Sequence, residues 1–194
     1  MNAAAFINLV KSAITSDFIK TQKTGGVIEH CESIPNGKSY TFVLKVTARA
    51  VVISLDVVGK EPFGALSPSS AGLTARCDLI AIVVAKDVPL KPLCFVIEVK
   101  SGNITGAQRQ LEAGASFVRY LFELLAVETP NIAQPCVMGV LASKLPRPGM
   151  GTTKPAQLKF EEVGLRKMFR ASWDASLPLS LSALVASAVK DGHV

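Results

Sequence analysis

The sequence has few charged residues, few aromatic residues and only two histidines. Charged residues make up 19% of the 194 positions, below the usual level of about a quarter, while 49% are hydrophobic. This balance excludes a disordered or low-complexity chain. With His30 and His193 as the only imidazoles, the sequence offers no Ser-His-Asp arrangement of a hydrolase. It also lacks a Walker-type phosphate loop, which excludes an ATPase motor of that class.

The four cysteines show no Cys-x-x-Cys spacing, which argues against a structural zinc site. Cys77 and Cys94 fall within predicted strands and are expected to be small buried hydrophobes. A reducing cytoplasm is the expected location. No apolar stretch is long enough to span a bilayer, and no basic segment precedes the first apolar run. The sequence therefore predicts neither a targeting segment nor a membrane partner.

What the sequence does contain is clear hydrophobic periodicity. The predicted elements in chain order are a helix over 6–18, strands over 41–46, 50–58, 75–85 and 93–100, a helix over 105–127, a strand over 137–142, a strand or helix over 158–169 and a helix over 179–189. Thr105 is the predicted cap of the long helix. This order predicts an α/β (α+β) domain with a central mixed sheet flanked by helices. A single domain over 1–194 is expected, with a core over about 1–145 and a C-terminal extension over about 146–194.

Charged residues end the otherwise apolar strand 93–100. Because side chains alternate between the faces of a strand, Glu98 and Lys100 share one face at its carboxyl end. A charged pair there is costly to desolvate unless it has a use. If the preceding turn centres near Val88, an antiparallel register places Asp78 directly across from Glu98.

Two carboxylates at such a distance repel each other, and a divalent cation between Asp78 and Glu98 removes the conflict. Hard carboxylate oxygens suit Mg²⁺ or Mn²⁺. Lys100 can orient a metal-activated water or offset charge in the transition state. The same register places Arg76 near Lys100. The repulsion between these two positive charges is acceptable if the site binds phosphate groups. The set predicts cleavage of phosphodiester bonds.

The order of these residues resembles the PD-(D/E)XK nuclease superfamily, which includes restriction endonucleases, RecB-type nucleases, Holliday-junction resolvases and some antibacterial toxins. The resemblance rests on Asp78, the triplet Glu98-Val99-Lys100 after a hairpin, and a following helix that carries Gln110-Leu111. It covers residues 74–142 and, loosely, the first helix. It implies a restriction-endonuclease-like fold with an α-β-β-β-α-β core.

The resemblance also implies roles for individual residues. Asp78, Glu98 and the backbone carbonyl of Val99 would bind Mg²⁺ or Mn²⁺. Lys100 would be the catalytic lysine, and Gln110 would match the polar residue that some branches carry near the metal.

For five further residues, the sequence supports a less specific assignment of function. Gln108 is the alternative to Gln110. Some branches add an acidic ligand from the first helix, and Asp17, Glu29 and Glu32 lie in or just after the predicted helix. Of these, Glu29 is named as the additional metal ligand. His30 could act as a general base, as in some nuclease relatives, or could be an ordinary surface or hydrogen-bonded histidine.

A formal net charge of +6 suits a polyanionic partner. The basic residues predicted to contact a phosphate backbone are Arg76, Arg109, Arg166, Lys167 and Arg170. The sequence thus predicts a metal-dependent endonuclease that acts on nucleic acid, with DNA the expected substrate. The alternatives are a catalytically inactive module on the same fold, which binds nucleic acid or a protein, and an interaction protein whose apolar tail from Leu177 pairs two subunits. The endonuclease hypothesis allows a partner protein that supplies targeting, because no sequence-reading domain is evident, and a homodimer is a further expectation.

Overall fold

Two β-sheets and three α-helices form the part of the chain that the computed structural model describes, namely residues 1–34, 38–46, 49–61, 75–84, 91–101, 103–143, 158–163 and 168–192. The helices are α1 (Ala3–Ala13), α2 (Ala107–Glu128) and α3 (Leu181–Lys190). The strands are β1 (Val27–Ile34), β2 (Lys38–Lys45), β3 (Ala50–Ile53), β4 (Leu79–Val84), β5 (Pro92–Lys100), β6 (Cys136–Ser143), β7 (Glu161–Val163), β8 (Met168–Asp174) and β9 (Leu179–Ser180).

The larger sheet has six strands in the order β3-β4-β5-β6-β8-β7. β4 is antiparallel to both of its neighbours, β3 and β5. β5, β6 and β8 run parallel, and β7 is antiparallel to β8. The smaller sheet has the order β1-β2-β9, with β1 and β2 antiparallel and β9 parallel to β2. The expected mixed α/β architecture is confirmed, with two mixed sheets instead of one.

The six-stranded sheet is covered on both faces, which explains why β4 and β5 consist almost entirely of buried residues. Alternate residues of β5 enter two different cores. Phe95 and Ile97 pack with the smaller sheet and α3, whereas Cys94 and Val96 pack with α1 and α2. The sheet is therefore the middle layer of three, and side-chain alternation in β5 is as predicted.

Helix α2 approaches the sheet closely at Gly114. A methyl group at this position would lie 2.5 Å from Val96 Cγ1 and 2.6 Å from Cys77 Sγ, closer than real contacts allow. The residue that caps α2 is Gly106, with a positive φ of 83°, so the prediction that Thr105 caps the helix is wrong. A left-handed backbone conformation suits glycine, which has no Cβ to clash.

Several predicted boundaries differ from the structure. Helix α1 ends at Ala13 and is followed by a 3-10 helix over Ser16–Phe18, and β3 stops at Ile53 instead of continuing to residue 58. Strand β1 was not predicted at all. Two of its inward-facing residues, His30 and Glu32, are polar, so the alternation of apolar and polar residues that marks a half-buried strand is lost.

The C-terminal segment contributes to both sheets. β8 pairs with β6, and β9 pairs with β2. In α3, Leu181, Leu184 and Ala188 are buried in the core between the sheets. The apolar face of this tail is therefore used within the chain, although Leu177 itself is 46% exposed.

Candidate metal centre

The pairing of β4 with β5 brings Asp78 beside Glu98. The ladder pairs Leu79 with Ile97 and Ile80 with Val96, and one further step places Asp78 opposite Glu98. This is the register expected from a turn centred near Val88, which itself lies outside the described residues. The amino end of β4 and the carboxyl end of β5 thus meet at one edge of the sheet, because the two strands are antiparallel.

Glu98 is fully buried, and Lys100 lies beside it. Lys100 Nζ forms an ion pair with Glu98 Oε1 at 2.5 Å. Glu98 Oε2 has no hydrogen-bond partner within the described part of the chain. Burial, and then the charge of Asp78, raise the pKa of Glu98 to about 8. A buried carboxylate with an unsatisfied oxygen is a favourable position for a cation.

Asp78 is held in place by the same strand. The backbone N–H of Val99 donates to Asp78 Oδ2 at 2.6 Å, which leaves Oδ1 to face the smaller sheet. Burial raises the pKa of Asp78 to about 6, although the Val99 N–H and the nearby Lys100 charge act in the opposite direction. The Asp78 and Glu98 carboxylates are therefore both shifted towards protonation, as expected for two buried acids in one site.

The smaller sheet adds two further side chains to this centre. His30 Nε2 lies 3.4 Å from Asp78 Oδ1 and 3.9 Å from Glu32 Oε2. One potential ligand atom from each of these three residues lies within 4.8 Å of the other two. Burial, followed by the charge of Lys20, lowers the pKa of His30, so its neutral form is favoured. Burial, followed by the charge of Asp78, raises the pKa of Glu32.

Glu29 does not reach this group, so the prediction of Glu29 as a metal ligand is corrected. Its carboxylate pairs with Lys23 Nζ at 2.6 Å. Along β1, Ile28 and His30 are buried, whereas Glu29 is exposed, because successive side chains point to opposite faces. Asp17 also lies elsewhere, in an ion pair with Lys60. Glu32 is the acidic residue from this part of the chain that reaches the centre.

Gln110 contacts the chain just before Asp78. Its side-chain amide donates to the carbonyl oxygen of Arg76 at 3.0 Å, which ties α2 to the segment that enters β4. The guanidinium of Arg76 pairs with Glu61 and donates to the Lys60 carbonyl, so its charge is already partly balanced. Gln110 thus contacts the backbone that carries Asp78.

The other basic residues predicted to contact nucleic acid do not form one cluster among the described residues. Arg109 is exposed on the first turn of α2. Arg170, half-buried in β8, donates to Gln108 Oε1 at 2.9 Å, and Gln108 in turn donates to Glu112. Arg166 and Lys167, like His193, lie outside the described residues.

Sequence reasoning missed Glu32 as a member of the centre because it missed β1. One local signal was present: Asn36-Gly37, a dipeptide typical of tight hairpin turns, stands between the segments that form β1 and β2. A hairpin at this point predicts a strand before it, and alternation then places Ile28, His30 and Glu32 on one face.

Comparison with known proteins finds no matching family model, no matching curated protein and no matching solved structure. Within the described ranges, no helix combines the length and the apolar character needed to cross a membrane.

Proposed function

We propose that this protein is a metal-dependent nuclease that hydrolyses phosphodiester bonds, with DNA as the expected substrate. One observation carries the proposal: Asp78 and the fully buried Glu98 meet at one sheet edge, with the Lys100 ammonium in contact with Glu98. This arrangement resembles the Asp / Glu-x-Lys site of the PD-(D/E)XK nucleases. It is expensive to bury without a cation, because two carboxylates share one ammonium group.

The residues fit a divalent cation. Glu98 Oε2 is buried and unpartnered within the described part of the chain, and Asp78 Oδ1 is not engaged by Val99. These two oxygens, with the Val99 carbonyl, are the ligands we assign to Mg²⁺ or Mn²⁺. When bound, such an ion polarises a phosphoryl oxygen and lowers the pKa of a coordinated water. Lys100 holds a positive charge beside the carboxylates, where it can orient the attacking water or offset developing negative charge.

The arrangement of elements supports a restriction-endonuclease-like core. After α1 and the β1–β2 pair, the chain forms β3, β4 and β5, then α2 and β6, and the strands β3, β4, β5 and β6 are adjacent in the sheet in that order. Both helices pack on the same face. The net charge of +6 and the exposed Arg109 are suited to a phosphate backbone.

The test is a cleavage screen with supercoiled plasmid, linear duplex, single-stranded DNA and RNA, each with Mg²⁺, Mn²⁺ or EDTA. We expect metal-dependent nicking that Asp78→Asn and Lys100→Ala each reduce by at least a hundredfold. Glu123→Gln and Lys159→Ala are the matched controls, because both residues are exposed and lie outside the candidate metal centre. Far-UV circular dichroism establishes that all four variants are folded.

Two outcomes contradict the proposal. Cleavage that persists in folded Asp78→Asn and Lys100→Ala protein rules out this site. Salt-dependent nucleic-acid binding with no cleavage under either metal would instead assign the chain to the inactive binding modules on this fold.

A further inference from the structure

We propose that His30 and Glu32 bind a divalent cation together with Asp78, and that this mixed nitrogen and oxygen site favours Mn²⁺ over Mg²⁺. The proposal deepens the nuclease assignment, since it adds two ligands to the cation that Asp78 would hold, and it rests on that assignment for its biological role. Cation binding can nevertheless be measured in the absence of cleavage.

The distances suit a shared ion. Donor atoms that each lie about 2.1 Å from one cation are roughly 3.0 to 4.2 Å apart. His30 Nε2 is 3.4 Å from Asp78 Oδ1 and 3.9 Å from Glu32 Oε2, within that span. The ligand atoms of all three residues lie within 4.8 Å of one another, so the remaining pair, Glu32 and Asp78, exceeds that span by at most about 0.6 Å.

The imidazole of His30 is directed into this centre without a hydrogen bond. Its Nε2 atom is buried and has no hydrogen-bond partner in the described ranges, and only 8% of its side-chain surface is exposed. A buried polar atom with no partner is destabilising unless another group satisfies it. A cation at this point would satisfy His30 Nε2 and the facing Asp78 Oδ1 together.

The charges near His30 also favour a cation. Glu32, Asp78 and the exposed Asp56 place three carboxylates around His30, against the positive charge of Lys20, and Lys100 is in direct contact with Glu98. An ion bound by His30, Glu32 and Asp78 would offset the negative charge that remains.

The β1–β2 pairing holds His30 and Glu32 on a packed strand of the smaller sheet. His30 pairs with Phe42 and Glu32 with Tyr40 across the β1–β2 ladder, and both Phe42 and Tyr40 are buried in the core between the sheets. Ligands on packed strands are held more precisely than ligands on loops.

The donor set decides the preferred metal. Mg²⁺ is hard, prefers oxygen ligands and retains its waters, whereas imidazole binds transition-metal ions well. A site that combines one imidazole with two carboxylates should therefore select Mn²⁺ over Mg²⁺. Without His30, the remaining carboxylates should prefer Mn²⁺ over Mg²⁺ much less strongly.

The experiment uses Mn²⁺ alone as the probe on the full chain. Electron spin echo envelope modulation detects coupling between Mn²⁺ and a coordinated imidazole nitrogen. The chain has two histidines, so the His193→Ala variant leaves His30 as the only possible source of the signal. We expect the signal in wild-type and His193→Ala protein and its loss in His30→Ala.

Titration calorimetry with Mn²⁺ and Mg²⁺ supplies the second measurement. Glu32→Gln should weaken Mn²⁺ binding at least tenfold, whereas Glu29→Gln should leave it unchanged, because Glu29 lies on the opposite face of the same strand. His30→Ala should reduce the Mn²⁺ preference over Mg²⁺ at least fivefold.

The outcomes separate this inference from the proposed function. Absence of a histidine nitrogen signal in Mn²⁺-loaded His193→Ala protein overturns the inference, even if His30→Ala fails to fold. Metal-dependent cleavage in that case leaves the nuclease assignment intact. Conversely, histidine-bound Mn²⁺ without any cleavage supports the metal site and contradicts the nuclease.

Discussion

The Val99 backbone N–H donates to Asp78 Oδ2 at 2.6 Å, so the strand that carries Glu98 also holds the opposing aspartate in position. The same bond commits one oxygen of Asp78 to structure and leaves the other, Oδ1, towards His30. One oxygen of Asp78 therefore has a structural role and the other is the one we propose binds metal, and the two roles can be separated by mutation.

Asp78→Asn and Asp78→Ala should differ in stability although both remove the charge. Asparagine retains an oxygen that can accept from Val99, whereas alanine leaves a buried N–H unsatisfied. We expect the alanine variant to unfold at lower urea concentration than the asparagine variant, by about 1–3 kcal/mol. Equal unfolding free energies in EDTA would show that the hydrogen bond does not stabilise the fold.

The metal-free protein should lose stability as the pH rises from about 4.5 to 8. Burial raises the pKa of Glu98 to about 8, above its usual value of 4.5, so the folded chain retains a proton that the unfolded chain releases. Protons bound preferentially by the folded state stabilise it at low pH, and that stabilisation disappears as Glu98 ionises. Thermal unfolding in EDTA across this range tests the expectation.

Glu98→Gln should weaken this pH dependence and raise Tm at pH 8 in EDTA, because a neutral amide replaces a buried carboxylate. Addition of Mn²⁺ at pH 8 should stabilise the wild type more than this variant. The exposed Glu123 provides the control, since Glu123→Gln should retain the wild-type pH profile. An unchanged profile in Glu98→Gln would exclude Glu98 as its source.

Gly114→Ala should destabilise the protein although alanine is the better helix former by about 1 kcal/mol. Its methyl group would overlap Val96 and Cys77, so α2 must move away from the sheet next to Asp78. Gly139→Ala is the matched comparison, because its methyl group would meet the flexible end of Met168 at 3.2 Å. Denaturant unfolding should show the larger loss for Gly114→Ala, and the reverse order would contradict close packing of α2.

Gln110→Ala should reduce cleavage about tenfold, because the lost bond to the Arg76 carbonyl loosens the segment that positions Asp78. As a positioning residue, Gln110 should also affect Mn²⁺ affinity, which calorimetry measures without turnover. Gln108→Ala serves as the control, since that side chain contacts Glu112 and Arg170. Similar losses in both variants would indicate a general effect on α2.

The sequence determined the central part of the site. Alternation in an apolar strand assigned Glu98 and Lys100 to one face, and the spacing between two strands fixed the register that sets Asp78 opposite Glu98. These features are local or depend on a single hairpin, where the two-residue period of a strand and the position of the turn decide which side chains meet.

Only the tertiary structure decided which residues outside the hairpin join the site. His30 and Glu32 belong to a separate sheet, and their approach to Asp78 depends on how that sheet packs on the larger one. Such packing follows from burial of many apolar side chains distant in sequence, which no local pattern encodes. For the same reason, the sequence did not distinguish Glu29 from Glu32. The two residues lie on opposite faces of β1, and only the packing of the sheets decides which face meets the core.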